Sequence, residues 1–195
     1  MSRKLSPQQL SPRQPSILFT NIPEIDTQIL LSLPDDSLES ACTINKYAAS
    51  LCDENFWHQR FIQTFGATLG NYKQPEEKYK DIYKEFVKLS LDRQLIRAAK
   101  KGYLSLVKEV LDRGADIHAP QGGDKALRLA AEHGHLEVVK LLLDRGADIH
   151  AQNDYALRWA ARNGHLDVVE LLLDRGANIH AQNDYALNWL QQMVV

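Results

Sequence analysis

Residues 154–183 read DYALRWAARNGHLDVVELLLDRGANIHAQN, and residues 124–153 read DKALRLAAEHGHLEVVKLLLDRGADIHAQN. DYALNW, residues 184–189, opens the same line again. The starts Asp124, Asp154 and Asp184 stand 30 residues apart. Self-similarity at a period of about 20–50 residues marks a stack of identical structural units. Such a stack presents an extended concave surface, which suits it to binding other macromolecules.

Each unit carries its own folding instructions. Ala156, Leu157, Ala160 and Ala161 form a small apolar stripe at helical spacing. Alanine is the best helix former and lets neighbouring helices approach closely. Asn163-Gly164 ends this first helix and Gly176 ends a second, Leu166 to Arg175, with glycine at the C-terminal cap. The second helix is apolar almost all round, through Val168, Val169, Leu171, Leu172 and Leu173, and so expects burial on more than one side. One such unit cannot bury its apolar surface alone; stacking does that. The fold class expected is all-α, a short helical solenoid.

The pattern A-A-x-x-G-H-x-x-V-V-x-L-L-L-x-x-G-A-[DN] at Ala130–Asp148 and Ala160–Asn178 resembles the ankyrin repeat. A looser copy precedes it, with Ala98-Ala99, Gly102, Leu104, Val107, Leu111 and Gly114-Ala115-Asp116. There Tyr103 replaces His and Glu109 replaces a Leu, as suits an N-terminal cap. Two features depart from the family. The period is shorter than its usual ~33 residues, and Tyr155-Ala156-Leu157-Arg158 and Lys125-Ala126-Leu127-Arg128 stand where T-P-L-H is usual. Tight loops with little or no strand are therefore expected. The last unit stops before its second helix, leaving Trp189, Leu190, Met193 and Val194 either folded back as a cap or at an open edge.

The organisation read from the chain is a leader, 1–16; a helical domain, 17–66; a linker with an amphipathic helix, 67–91; and repeats over 92–195, divided as 92–118, 124–150, 154–180 and a partial 184–195. The leader has Pro and Gln but no apolar core of a secretory signal. No apolar run approaches the ~20 residues of a membrane span. The net charge of −2 over 195 residues offers no bulk attraction to nucleic acid. Residues 92–195 balance 13 Lys and Arg against 14 Asp and Glu. Cys42 and Cys52 are too few and too far apart for a disulfide framework or zinc knuckle, which fits a reducing, intracellular and cytoplasmic location.

Before the repeats the pattern changes to a chain of short helices. Pro23 starts the first, with Glu24 and Asp26 near its positive end. Ile25, Ile29, Leu30 and Leu33 give its apolar side, and Pro34 ends it. Leu38, Ala41, Cys42 and Ile44 face inward in the next, and Phe56, Trp57, Phe61 and Phe65 follow, with Trp57 as the expected anchor. The ordered set Ile22-Pro23, Glu24-Ile25, Ile29-Leu30, Leu33, Leu38, Asn45-Lys46-Tyr47, Leu51-Cys52 and Phe56-Trp57 resembles an F-box. Ile22 replaces the usual Leu, one residue is missing after Pro23, and Thr43-Ile44 replaces a Val-centred pair. An F-box-like segment followed by short ankyrin repeats is similar to proteins of large DNA viruses, which would place the chain in host cytoplasm. The resemblance implies binding to the Skp-type adaptor of a cullin–RING ubiquitin ligase, through Pro23, Ile25, Ile29, Leu33 and Leu38. Leu30 and Leu33 could equally pack the domain's own core, whereas Pro23 and Ile25 lie outside the core in the family resembled. Beyond Gly66, Tyr79, Ile82, Tyr83, Phe86 and Leu89 recur at helical spacing, as expected of a splint between domains.

No catalytic residue, metal ligand or cofactor is expected. His118, His150 and His180 recur once per unit, as do His135 and His165. Stacking sets equivalents about 10 Å apart, too far to share an ion whose Zn–N bonds are near 2 Å. Loop and inter-repeat hydrogen bonds are the expected roles. Gly122-Gly123 only lengthens one junction, and no G-x-S-x-G, H-E-x-x-H or C-x-x-C is present. Target binding is expected at positions that differ between otherwise matching units, Lys100, Lys101, Lys125, Glu132, His133, Tyr155, Arg162, Asn163 and Tyr185, and on the aromatic–basic stripe that Arg128 and Arg158 form with Tyr155. Arginine and tyrosine there are typical interface hot-spot residues. Leu129, Trp159 and Trp189 share one register and are expected to be partly buried. The function expected is a non-enzymatic adaptor that brings a target protein to a ligase. The rival is an ankyrin scaffold or inhibitor without ligase involvement.

Overall fold

The structure is a computed structural model, described here for residues 23–66, 78–119 and 124–193. The expected leader, Ile22, the loose stretch after Gly66 with Pro75, the Gly122-Gly123 insertion and Val194 lie outside these residues. The described residues are helical and contain no strand, as the loss of the T-P-L-H turn leads one to expect. The chain divides into two compact units at Phe56–Trp57.

The first unit holds α1 (Pro23–Ser32), α2 (Asp35–Ile44), α3 (Lys46–Leu51) and the start of α4 (Glu54–Phe65). Asn45 sits between α2 and α3 in extended geometry and caps α3, its Oδ1 accepting from Tyr47 N at 2.9 Å and Ala48 N at 3.0 Å. An Asn cap of this kind satisfies helix-start N–H groups that have no partner within the helix. Leu30, Leu31, Leu38, Ala41 and Ala48 are buried. Asp26 is also fully buried, and Tyr47 donates its hydroxyl to Asp26 Oδ2 at 3.0 Å. Desolvation, then the hydrogen bond to Asp26, pushes the Tyr47 phenol above its ordinary pKa.

One expectation for this unit is corrected. Cys42 and Cys52 form a disulfide, with Cα atoms 6.1 Å apart. The turn at Asn45 folds α3 back along α2, so ten residues of sequence separation become a side-by-side contact. The cysteines therefore give no argument for a reducing compartment. Among the described residues no helix is long and apolar enough to cross a membrane.

The second unit begins with the rest of α4 and α5 (Tyr79–Val87). Trp57, expected as the anchor of the N-terminal domain, belongs here, with its ring centroid 5.6 Å from that of Tyr83. Phe65 meets Phe86 edge-on at 6.4 Å, and Phe86 meets Tyr103 at 6.2 Å. Offset and edge-on pairs of this sort stabilise beyond their buried area. Tyr103 is 1% exposed. The Tyr at the position of the repeat histidine thus carries the aromatic core into the first repeat. Gln94, buried, donates from Nε2 to Phe86 O at 3.1 Å and Leu89 O at 2.9 Å, closing the C-terminal end of α5.

Among the described residues, seven helices then form the stack. The first helices of successive repeats are α6 (Leu91–Lys101), α8 (Lys125–Glu132), α10 (Ala151–Asn163) and α12 (Ala181–Met193); the second helices are α7 (Leu104–Asp112), α9 (Leu136–Asp144) and α11 (Leu166–Asp174). α10 packs between α8 and α12, α6 packs on α8, and α9 lies beside both α7 and α11. The alanine pairs Ala98-Ala99, Ala130-Ala131 and Ala160-Ala161 are fully buried, so the first helices touch through methyl groups. Val138, Val139 and Leu142, and their counterparts Val168, Val169 and Leu172, fill the layer behind. The second helices are less enclosed than their composition suggests: Leu166 is 57% exposed.

The loops between units hold an unexpected geometry. Gln152, Asn153 and Asp154 all have φ between 52° and 58°, and Gln182, Asn183 and Asp184 between 52° and 59°. Each is a full left-handed turn at the head of α10 or α12. L-residues resist this conformation by ~1–2 kcal/mol each, Asn and Asp least. The turn is held from outside. Arg158 donates Nε to Asn153 O at 2.9 Å and Nη2 to Gln152 O at 3.0 Å, taking the carbonyls that a right-handed helix would have paired.

Candidate functional site: a basic and aromatic helix face

An acid–histidine ladder fixes the spacing of the repeats. Asp124 Oδ1 accepts from Asp148 N at 2.9 Å, and Asp148 Oδ1 accepts from His150 N at 2.9 Å. His150 Nδ1 lies 3.0 Å from Asp154 Oδ1, which in turn accepts from Asn178 N at 2.8 Å. Asn178 Oδ1 accepts from His180 N, and His180 Nδ1 reaches Asp184. The same links run from Asp92 through Asp116 and His118 to Asp124. Asp124 and Asp154 are 1% and 5% exposed, and each is satisfied by a backbone N–H and an imidazole. Buried carboxylates need that company. Sequence reasoning used these aspartates only to mark the period. Their fixed distance to the I-H pair was the available signal.

The other two histidines bond across repeats, as expected. His135 Nε2 lies 3.0 Å from Lys100 O, and His165 Nε2 lies 3.1 Å from Glu132 O. Burial holds the His135 imidazole below its ordinary pKa, against the raising effect of the Lys100 carbonyl. No group of three or more His, Cys, Asp or Glu among the described residues is arranged to hold a metal ion.

With the spacing fixed, matching positions on the first helices line up in columns. Arg93, Lys125, Tyr155 and Tyr185 form one; Ile96, Arg128, Arg158 and Asn188 the next; Arg97, Leu129, Trp159 and Trp189 the third; Lys100, Glu132, Arg162 and Gln192 the fourth. The side chains interleave from repeat to repeat. Arg128 Cζ lies 4.2 Å from the centre of the Tyr155 ring, and Arg158 lies 5.4 Å from Tyr155 and 5.7 Å from Tyr185. Tyr155 and Trp159 stack at 5.4 Å, and Arg162 covers Trp159 at 4.4 Å. Guanidinium groups over aromatic faces at this range attract by ~0.5–2 kcal/mol. A cleft of about 890 Å³ continues the face onto the first repeat, lined by Arg93, Ile96, Lys100, Lys125 and Leu129 and also by Glu85, Asp92 and Asp116. Arg97 is ion-paired with Glu85 beside it.

The expected target-binding residues mostly meet on this face. Lys100, Lys125, His133, Arg162 and Asn163 are exposed; Lys101, Arg128, Glu132, Tyr155, Arg158 and Tyr185 are half-buried. Two of them also have structural duties. Asn163 donates Nδ2 to Glu132 O at 2.7 Å, and Arg158 holds the left-handed turn. Leu129, Trp159 and Trp189 are half-buried, and the stacking on Tyr155 makes Trp159 part of the face rather than a packing residue beneath it. Arg93, Ile96 and Arg97 had not been singled out, because the looser first copy hides their alignment with Lys125, Arg128 and Leu129.

The expected adaptor-binding residues belong to the first unit. Pro23 and Ile25 are exposed, Ile25 at 47%, while Ile29 and Leu33 are half-buried. Leu38 is 1% exposed and inside the unit's own core, where it offers no surface.

Residues 95–183 match the family model for ankyrin repeats in three copies. No curated protein matches the chain. The two-helix unit, its 30-residue recurrence and the family match agree over residues 95–183, which match ankyrin repeats, a kind of protein–protein interaction module.

Proposed function

We propose that the chain is an adaptor whose repeats hold a target protein while its N-terminal helices dock on the Skp-type adaptor of a cullin–RING ubiquitin ligase. One observation carries the ligase half. The first unit buries Leu30, Leu31 and Leu38 yet leaves Ile25 47% exposed beside exposed Pro23. Ile25 and Ile29 are four residues apart on α1, hence on one face. Half-exposed aliphatics at the head of a proline-started helix suit a helix-to-helix contact with few charges at its centre. The mechanism is proximity: two binding events on one chain raise the effective concentration of target near the ligase. No chemistry on the chain's own residues is required.

The expected result is a joint peak on size exclusion when the full chain is mixed with a Skp-type adaptor. Changing both Ile25→Asp and Ile29→Asp removes that peak while the far-UV circular dichroism keeps its helical signal. A folded sample that gives no joint peak leaves a scaffold or inhibitor that binds its partner through the repeats alone.

A further inference from the structure

The near-neutral balance of the repeat half conceals a separation of charge. Of the sixteen residues in the four columns of the first-helix face, seven are Arg or Lys and one, Glu132, is acidic. The second helices, α7, α9 and α11, carry seven Asp and Glu against two lysines, with Arg113, Arg145 and Arg175 at their C-caps, where Arg145 pairs with Asp112 and Arg175 with Asp144. The positive charge is also available. Among the described residues, Arg93, Lys100, Lys125 and Arg162 make no ion pair; Arg93, Lys100 and Lys125 line the cleft, and Arg162 caps Trp159. The cleft also holds carboxylates: Glu85 is paired with Arg97, Asp92 accepts from Asp116 N and Asp116 accepts from His118 N, which leaves Arg93, Lys100 and Lys125 as its unpaired charges among the described residues. Half-buried Tyr155 and Trp159 supply apolar area between the cations.

We propose that this face takes an acidic polypeptide segment, its carboxylates meeting the cations at the cleft and its apolar side chains meeting the Tyr155–Trp159 pair. The proposal rests on the repeats being the target-holding half and names the chemistry of the target. Complementary charge would steer encounter and set orientation, while the aromatic pair would supply desolvated contact. The acidic second helices repel such a segment, which confines it to one side of the stack.

The test is fluorescence anisotropy with the full chain and a fluorescein-labelled peptide alternating glutamate and leucine. The same peptide with lysine for glutamate, and a labelled oligothymidylate, serve as comparisons. The glutamate peptide is expected to bind, and to bind more weakly as salt is raised. Lys100→Glu with Lys125→Glu, both exposed helix-surface positions, should weaken it about tenfold. Lys108→Glu with Lys140→Glu on the second helices should change it less than about twofold. If the paired variant does not keep its helical signal, the salt dependence of the unaltered chain decides. Equal binding of the lysine peptide, or affinity indifferent to both salt and charge reversal, overturns the proposal. Tighter binding of oligothymidylate overturns it in favour of a polynucleotide. A chain that fails here yet still gives the joint peak with the ligase adaptor sinks this proposal and spares the ligase reading.

Discussion

Leu172→Ala is expected to lower the unfolding free energy by about 2–5 kcal/mol, the usual loss for truncating a fully buried leucine. Leu172 is 0% exposed on α11 and, among the described residues, belongs to the last repeat with both of its helices. A repeat stack gains stability from neighbour contacts, so a loss there is felt by α9 and α10 as well. Urea melts followed by circular dichroism check it. Leu173→Ala, at a half-buried position of the same helix, should cost clearly less. A change below about 1 kcal/mol at Leu172 would mean that the α11 layer does not support the stack.

Gly134→Ala should be comparably damaging, for a different reason. Gly134 has φ of 73°, and a Cβ built there would lie 2.5 Å from His165 Nδ1. The far side of that ring is tied to Glu132 O at 3.1 Å, so the imidazole cannot swing aside without breaking its inter-repeat bond. Left-handed alanine costs about 1–2 kcal/mol and overpacking about 1–3 kcal/mol more. Gly146 separates the two effects: its φ is 94°, but a Cβ there meets nothing within 4 Å. Gly146→Ala should therefore show only the backbone cost. A double-mutant cycle of Gly134→Ala with His165→Ala should reveal strong coupling. Equal losses at the two glycines, with additive behaviour in the cycle, would remove His165 from the inter-repeat contact.

How far the sequence could be read follows from where its information is local. The two-helix unit was legible because the Ala pairs and the Leu-Leu-Leu run repeat at a fixed period and demand a buried layer. The absence of strand was legible because the turn residues that support a hairpin are missing. The left-handed turns at 152–154 and 182–184 were not, since Gln-Asn-Asp carries no glycine, and the first of them is held by Arg158 reaching back from the following turn of helix. The Cys42–Cys52 bond escaped because spacing alone does not reveal the hairpin made at Asn45. The charge separation escaped for a similar reason: counting 13 cations against 14 anions discards which helix each one sits on.

The same lesson divides the candidate residues. Lys125, Tyr155 and Arg162 emerged from comparing units that otherwise agree, because a position free of packing is free to vary. Arg158 recurs as Arg128, and structure supplies the reason for keeping it: one guanidinium both holds the turn and stacks on the aromatic column. In the first unit, Leu30 and Leu38 are aliphatic like Ile25 but lie inside, and only a fold separates them.

In the proposed function one chain joins two partners through separate surfaces. Light scattering on a sizing column, with the full chain, a Skp-type adaptor and the glutamate–leucine peptide fused to a carrier protein, tests it most directly. The prediction is a single species containing all three, with neither partner displacing the other. Mutual exclusion, or a species that never holds both, would contradict it.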